Sequence, residues 1–508
     1  MSKPVVIVSC DEHTGPPAEE YRPYIEQRFH PRFDEWQAAV EGPGRQLWEF
    51  AHVAPERFDV ADNEDALASG GLMGAWQPER RLQEMDREGV AFGLTNINAN
   101  DTQRFSMPPF PGMSADGSPW TAEEMMAGAR AHNRWLADFR DATDGRVHGS
   151  GLPGPFADMD ATIAELEWLA EHGFHVITIP PPPLDDRYER FWAACADLGL
   201  VVNAHAGHSG APAPDELTDL RPVVSAEQIE ATLEKARELA SARGQDPAGM
   251  TSHELLMQLV AHQVDGIAEL SQSDRDVLSV EIPGMAGLDL TVSDRGPLWQ
   301  LMLTGVVDRY PTLKVTFGEI RSDWVPGTLA YLDRRIPELN PSLALKPSEY
   351  WGRNFNVAAS FMRPLEVQMR EAIGTGQMMF SRDYPHPEGT WPNTIEWIRE
   401  AFTGVPEPDA RAILGENAID WYGFDRGDVE RIAERIGPRP EDLFGDWSVS
   451  AAKLSYFGSS SGFYKPRVEV NPEAIEYEMM HRPAGVYVPY TDFGTMVEDA
   501  TARQAETV

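Results

Sequence analysis

Eight short apolar runs recur along this chain, with helical patterns between them, and four of the runs lead into side chains that can bind a metal. The runs are residues 5–8, 91–97, 146–151, 174–179, 200–204, 314–318, 355–360 and 377–380. The first, Val5-Val6-Ile7-Val8, is continuous and β-branched, as in a strand buried on both faces. Helical periodicity is strongest over 121–143, where Thr121 is the expected N-cap with Glu123 and Glu124 in the first turn. Further helices are expected at 81–88, 160–172, 187–198, 298–310, 411–419 and 428–436, with Gly173 and Gly199 placed as C-terminal stops. Strands alternating with helices imply parallel βαβ units, and eight such units predict a closed (β/α)8 TIM barrel. A doubly wound open sheet is the alternative, but no glycine-rich phosphate fingerprint follows the first strand.

Two stretches break this spacing. Residues 209–291 form an insertion after the fifth strand, with helical patterns at 226–242 and 252–270. Residues 441–508 form a C-terminal tail, expected to pack on the barrel or on a partner subunit. The barrel is thus divided into 1–208 and 292–440, and 14–75 reads as a long cover with short helices.

Composition narrows the partners. Lys and Arg number 43 against 81 Asp and Glu, a formal net charge of −38, which would repel both nucleic acid and an anionic membrane. The two cysteines provide no disulfide framework and fit a reducing cytosol. The N-terminal apolar run of four residues is too short for a signal peptide, and no stretch approaches the roughly 20 apolar residues of a membrane span. A cytoplasmic protein is expected, acting on a small molecule.

In such a barrel the active site lies at the C-terminal ends of the strands. Strand one ends with Asp11 and His13, strand five with His205 and His208, strand six with Glu319, and strand eight with Asp383 and His386. Side chains alternate along a strand, so Asp11 and His13 share one face and Glu12 takes the other. Glu12 is assigned to the surface, with a ligand role open only if the strand bulges. Bland readings exist for single positions, such as an Asx turn at Asp383 or an ion pair of Glu319 with Arg321. Convergence of four strand ends on one rim favours a shared metal site instead.

Several stretches carry a family resemblance: CDEH at 10–13, NAHAG at 203–207, TFGEIRSDWVP at 316–326 and FSRDYPHPEGTWPN at 380–393. They resemble the amidohydrolase superfamily, in its amidohydrolase-related family 2 branch, over about residues 1–208 and 292–440. The resemblance implies a distorted (β/α)8 barrel with one or two divalent metals at the strand ends. Asp11-Glu12-His13 replaces the His-x-His common among relatives, and Glu319 replaces a common histidine. The implied metal ligands are Asp11, His13, His205, Glu319, Asp383 and His386. Three imidazoles and three carboxylates suit iron or manganese as readily as zinc.

Within that branch the chain looks most like a subgroup of dinuclear non-heme iron monooxygenases, as in platensimycin-type diterpenoid biosynthesis and 2-aminoisobutyrate breakdown. That resemblance implies two divalent ions, Fe or Mn with Fe, together with O2, an external electron donor and hydroxylation of an unactivated C–H bond in a small organic or natural-product acid. The alternative is a hydrolase or decarboxylase using a metal-activated water, often with Zn, with Asp383 as general base and His208 as a supporting donor. A homo-oligomer is expected under either.

Overall fold

The computed structural model describes residues 3–41, 58–97, 99–101, 104–106, 108–111, 119–181, 184–206, 234, 237–247, 250, 293–386, 389–464, 467–468 and 470–481. The chain divides into two compact units, Met1–Asp215 with Leu290–Gly485, and Glu216–Asp289 with Val486–Val508. In the second unit, residues 237–242 are helical and Ala240 is buried. The helical pattern expected at 252–270 lies outside the described residues.

Among the described residues, the first unit carries ten strands: β1 (Ile7–His13), β2 (Val90–Asn96), β3 (Ala99–Asp101), β4 (Arg104–Ser106), β5 (Val147–Gly151), β6 (Val176–Thr178), β7 (Val201–His205), β8 (Lys314–Gly318), β9 (Phe355–Ala358) and β10 (Met378–Met379). Eight of them pair in the order β1-β2-β5-β6-β7-β8-β9-β10, all in parallel. Sheet order equal to chain order is the signature of a barrel, because a doubly wound sheet would reverse direction at a switch point. The ends meet through backbone hydrogen bonds from Cys10 to Phe380 (2.9 Å), Asp383 to Asp11 (2.9 Å) and His13 to Tyr384 (2.6 Å). The expected (β/α)8 barrel is the fold.

The barrel strands are buried along nearly their whole length, which explains why they read as unbroken apolar runs. Ala91, Phe92, Val176 and Val201, near the strand starts, pack with Ile419, Tyr422 and Phe424 from beyond β10. Helix Ala122–Ala142 begins at a capping box, in which the Glu124 amide donates to Thr121 Oγ1 (3.2 Å) and the Thr121 amide to Glu124 Oε2 (2.8 Å). The antiparallel hairpin β3–β4 has no counterpart in the sequence reading. The helix expected at 298–310 is split into Gly296–Leu303 and Val306–Arg309, because Gly305 takes a left-handed φ of +70° between them. The eighth strand shrinks to two residues, since the chain beyond Phe380 turns to bond β1.

Within the first unit, the tail described as far as His481 packs on the barrel. Helix Ala451–Ser461 brings Phe457 against Trp397, and Glu476 of helix Pro472–His481 accepts from Tyr331 (2.6 Å) and pairs with Arg335. Among the described residues, no helix is long and apolar enough to cross a membrane.

One interior histidine gives the fold a pH dependence. His148 on β5 lies against Phe92 and Phe424, at centroid distances of 5.0 and 4.4 Å. Burial pushes its imidazole down to about 3 from 6.5. The fold therefore holds it neutral, a contribution complete above the ordinary histidine pKa and lost as pH falls from 6.5 towards 3. His148→Phe is expected to flatten the fall in stability between pH 7 and pH 5, by about 2 kcal/mol at the lower pH. Melting curves across that range check it; an unchanged slope would assign the acid lability elsewhere.

Candidate metal centre

A bulge in β1 sets up the site. Ser9 pairs with Gly93 but Glu12 with Thr95, so β1 carries one extra residue between those two positions. Asp11 and His13 emerge at the barrel rim, both fully buried. His205 ends β7, and Glu319 follows β8 directly. Asp383 and His386 lie beyond β10. Glu319 and Asp383 hold left-handed φ values of +54° and +56°, a conformation that costs a non-glycine residue free energy and concentrates at functional sites.

The donors form two groups with His13 common to both: Asp11, His13, His205 and Glu319 in one, His13, Asp383 and His386 in the other. Within each group the ligand atoms lie within 4.8 Å of one another. His205 Nε2 is 3.0 Å from Asp11 Oδ1 and 3.2 Å from Glu319 Oε2. His13 Nε2 is 3.1 Å from Asp383 Oδ1, 3.9 Å from Asp11 Oδ1 and 4.0 Å from Glu319 Oε2. His386 Nδ1 is 3.2 Å from Asp383 Oδ1, and its ring stacks on His13 at 3.7 Å. All six residues named from the sequence are thus brought together. His208, the seventh, lies outside the described residues.

Backbone carbonyls set the imidazole tautomers. His13 Nδ1 donates to Ile97 O (2.7 Å) and His205 Nδ1 to Ala206 O (2.9 Å), because a carbonyl can only accept. Each ring therefore presents the Nε2 lone pair to the centre, the arrangement of a metal-binding histidine. Asp11 is oriented likewise: Asn96 Nδ2 donates to its Oδ1 (2.9 Å), and Asn203 Nδ2 donates in turn to Asn96 Oδ1 (2.9 Å).

Three carboxylates crowded into this buried space need a cation. Burial raises the Asp11 carboxyl to about 8, and burial likewise raises Glu319, with Asp383 and Asp11 adding repulsion. Burial pushes His205 down, which keeps its ring neutral and able to ligate. Asp11 Oδ2 is buried with no hydrogen-bond partner among the described residues. An ionised oxygen left so would be costly, and a divalent ion satisfies it. The donor set fits a metal.

One sequence assignment changes. Glu12 is not at the surface: it is fully buried and ion-paired with Arg81 and Arg382. The bulge that might have turned it to the metal instead leaves it facing two guanidiniums. Arg321, whose ion pair with Glu319 was the bland alternative to a metal role, pairs with Asp323 at 2.7 Å. Asn96, Arg81 and Arg382 were not singled out. Asn96 had a readable signal as a polar residue at a strand end, whereas nothing local marks the arginines.

A family model described as amidohydrolase matches residues 51–424, a span that holds His205, Glu319, Asp383 and His386 but begins after β1. No curated protein matches the chain in sequence. Among solved structures, an amidohydrolase from Mycobacterium avium subsp. paratuberculosis K-10 is 17% identical with a TM-score of 0.50, covering 82% of this chain and 99% of its own. A 5-carboxyvanillate decarboxylase from Sphingomonas paucimobilis is 18% identical, with a TM-score of 0.46 and coverage of 83% and 100%. A manganese-bound dihydroxybenzoic acid decarboxylase from Polaromonas sp. JS666 is 16% identical, with a TM-score of 0.46 and coverage of 84% and 99%.

Proposed function

Because the chain belongs to the amidohydrolase family, we propose that it is a metal-dependent hydrolase or decarboxylase in which Asp11, His13, His205 and Glu319 hold one divalent ion and Asp383 moves the proton. The observation that carries this reading is the place of Asp383, which stands 3.1 Å from His13 Nε2 yet belongs to the other donor group. A bound divalent ion supplies Lewis acidity towards a carbonyl or carboxylate and lowers the pKa of water. Asp383 then takes the proton of the attacking water and returns it to the leaving group in hydrolysis. In decarboxylation the C–C bond breaks with its electron pair left on carbon, and protonated Asp383 supplies the proton that replaces CO2. His386, 3.2 Å from Asp383 Oδ1, holds that carboxylate in place. The description of the family model supports the hydrolytic class.

One observation favours a second reading. Asp383 and His386 with His13 make a donor group of their own, as a two-ion centre needs. Such a centre, with iron or manganese and iron, would use O2 and an external electron donor to hydroxylate a C–H bond. Metal analysis of an anaerobic preparation separates the two. One zinc or manganese per chain is the expected result. Two ions including iron, with O2 uptake dependent on substrate, would replace the first reading by the second.

A further inference from the structure

The barrel's seam coincides with its metal centre. Four of the six donors, Asp11, His13, Asp383 and His386, ride on the two segments that close the ring. The last strand pairs with β9 at only two positions, and a shift there would move Asp383 relative to His13. A buried ion network crosses this seam. Glu12, between Asp11 and His13, pairs with Arg382, the residue before Asp383. Arg81, from helix Pro78–Arg87, pairs with the other Glu12 oxygen and donates to His13 O (3.2 Å). The Arg382 amide donates to Ser9 Oγ (3.0 Å) and its Nη1 to Glu88 Oε2 (2.8 Å). Tyr384 lies against both guanidiniums, at 4.5 and 4.9 Å from its ring centroid. Space for the Glu12 carboxylate exists because position 93 is glycine: a Cβ there would sit 2.5 Å from Oε2.

Desolvating such a network costs so much that apolar side chains would often stabilise a fold as well. Its place across the seam is consistent with a second role, in specifying geometry. We propose that Glu12 and Arg382 are positioning residues, whose buried ion pair fixes β1 against the segment after β10 and so sets Asp11 and His13 opposite Asp383 and His386 at metal-binding spacing. Among the described residues, the pair makes hydrogen bonds and ion pairs with Arg81, Glu84, Glu88 and Ser9, and it acts through the backbone of its neighbours. The inference rests on the metal-site reading, whether one ion binds or two.

The test uses two readouts on the full chain, Mn(II) affinity and amide hydrogen exchange at Cys10, His13 and Asp383 in metal-free protein. Glu12→Gln removes the charge. Gly93→Ala displaces the carboxylate with every charge kept, and remains informative if Glu12→Gln does not fold. Glu12→Asp is the conservative rescue. Glu165→Gln is the control, since Glu165 is equally buried among Arg130, Arg134 and Asn133 in a network away from the seam. Glu12→Gln and Gly93→Ala are expected to weaken Mn(II) binding by at least about tenfold and to speed seam exchange similarly, with Glu12→Asp between them and the wild type. Glu165→Gln should change neither, even at an equal loss of melting temperature. Wild-type affinity and seam protection in both seam variants would overturn the proposal. Should the wild-type chain bind no Mn(II), the metal reading fails, and seam exchange alone decides the positioning claim.

Discussion

Replacing His205 with alanine is expected to lower divalent-metal affinity by at least about 100-fold while the barrel still folds. His205 Nε2 sits between Asp11 Oδ1 and Glu319 Oε2, at 3.0 and 3.2 Å, so its loss removes the donor that separates two carboxylates. What remains of the four-donor group is one imidazole and two like charges in a buried space, a set that holds an ion loosely and repels itself when empty. The fold should survive, because β7 is held by five ladder positions to β8 and three to β6, none involving the imidazole. Competition with a chelator of known affinity measures the effect, and circular dichroism checks the fold. Full metal occupancy in the variant would show that the ligand set is wrong.

Trp397→Ala is expected to cost about 3–5 kcal/mol of stability. The side chain is fully buried in helix Thr394–Ala401, and its Nε1 donates to Met362 O at 2.7 Å. Phe361 meets it edge-on from the barrel side at 5.5 Å, and Phe457 and Phe463 from the tail at 5.0 and 4.5 Å. Truncation opens a cavity where barrel and tail share one aromatic contact, and it orphans the Met362 carbonyl. The tail helices should loosen first, so limited proteolysis near residues 446–465 ought to precede global unfolding. An unfolding free energy from denaturant titration within about 1 kcal/mol of wild type would mean that the tail is held mainly by its polar contacts, Glu476 with Tyr331 and Arg335 and Lys453 with Asn393.

Both expectations depend on features that differ in how far they could be read ahead. The eight strands were legible because a strand buried on both faces must be apolar throughout. The candidate donors were legible because a barrel's chemistry gathers at strand ends, so Asp11, His13, His205, His208, Glu319, Asp383 and His386 could be picked by position alone. Helix Ala122–Ala142 announced its own start through Thr121 and Glu124, a contact spanning three residues.

Glu12 shows where local reading stops. Alternation along β1 correctly turns it away from Asp11 and His13, and a charged residue facing away from a site is ordinarily solvated. Its partners, Arg81 and Arg382, are 69 and 370 residues distant, and only the closed barrel brings them together. The same holds for Asn96 on Asp11, and for the contraction of the eighth strand, whose backbone is claimed by β1.

By itself, then, the sequence determined the class of fold and pointed to the candidate metal donors, because both readings follow from short-range periodicity and from chemistry placed at strand ends. Tertiary structure alone decided how those donors divide into two groups around His13, which carbonyls set their tautomers, and what holds the seam on which four of them ride. Those are distances between segments far apart in the chain, set by packing and barrel closure rather than by any local preference.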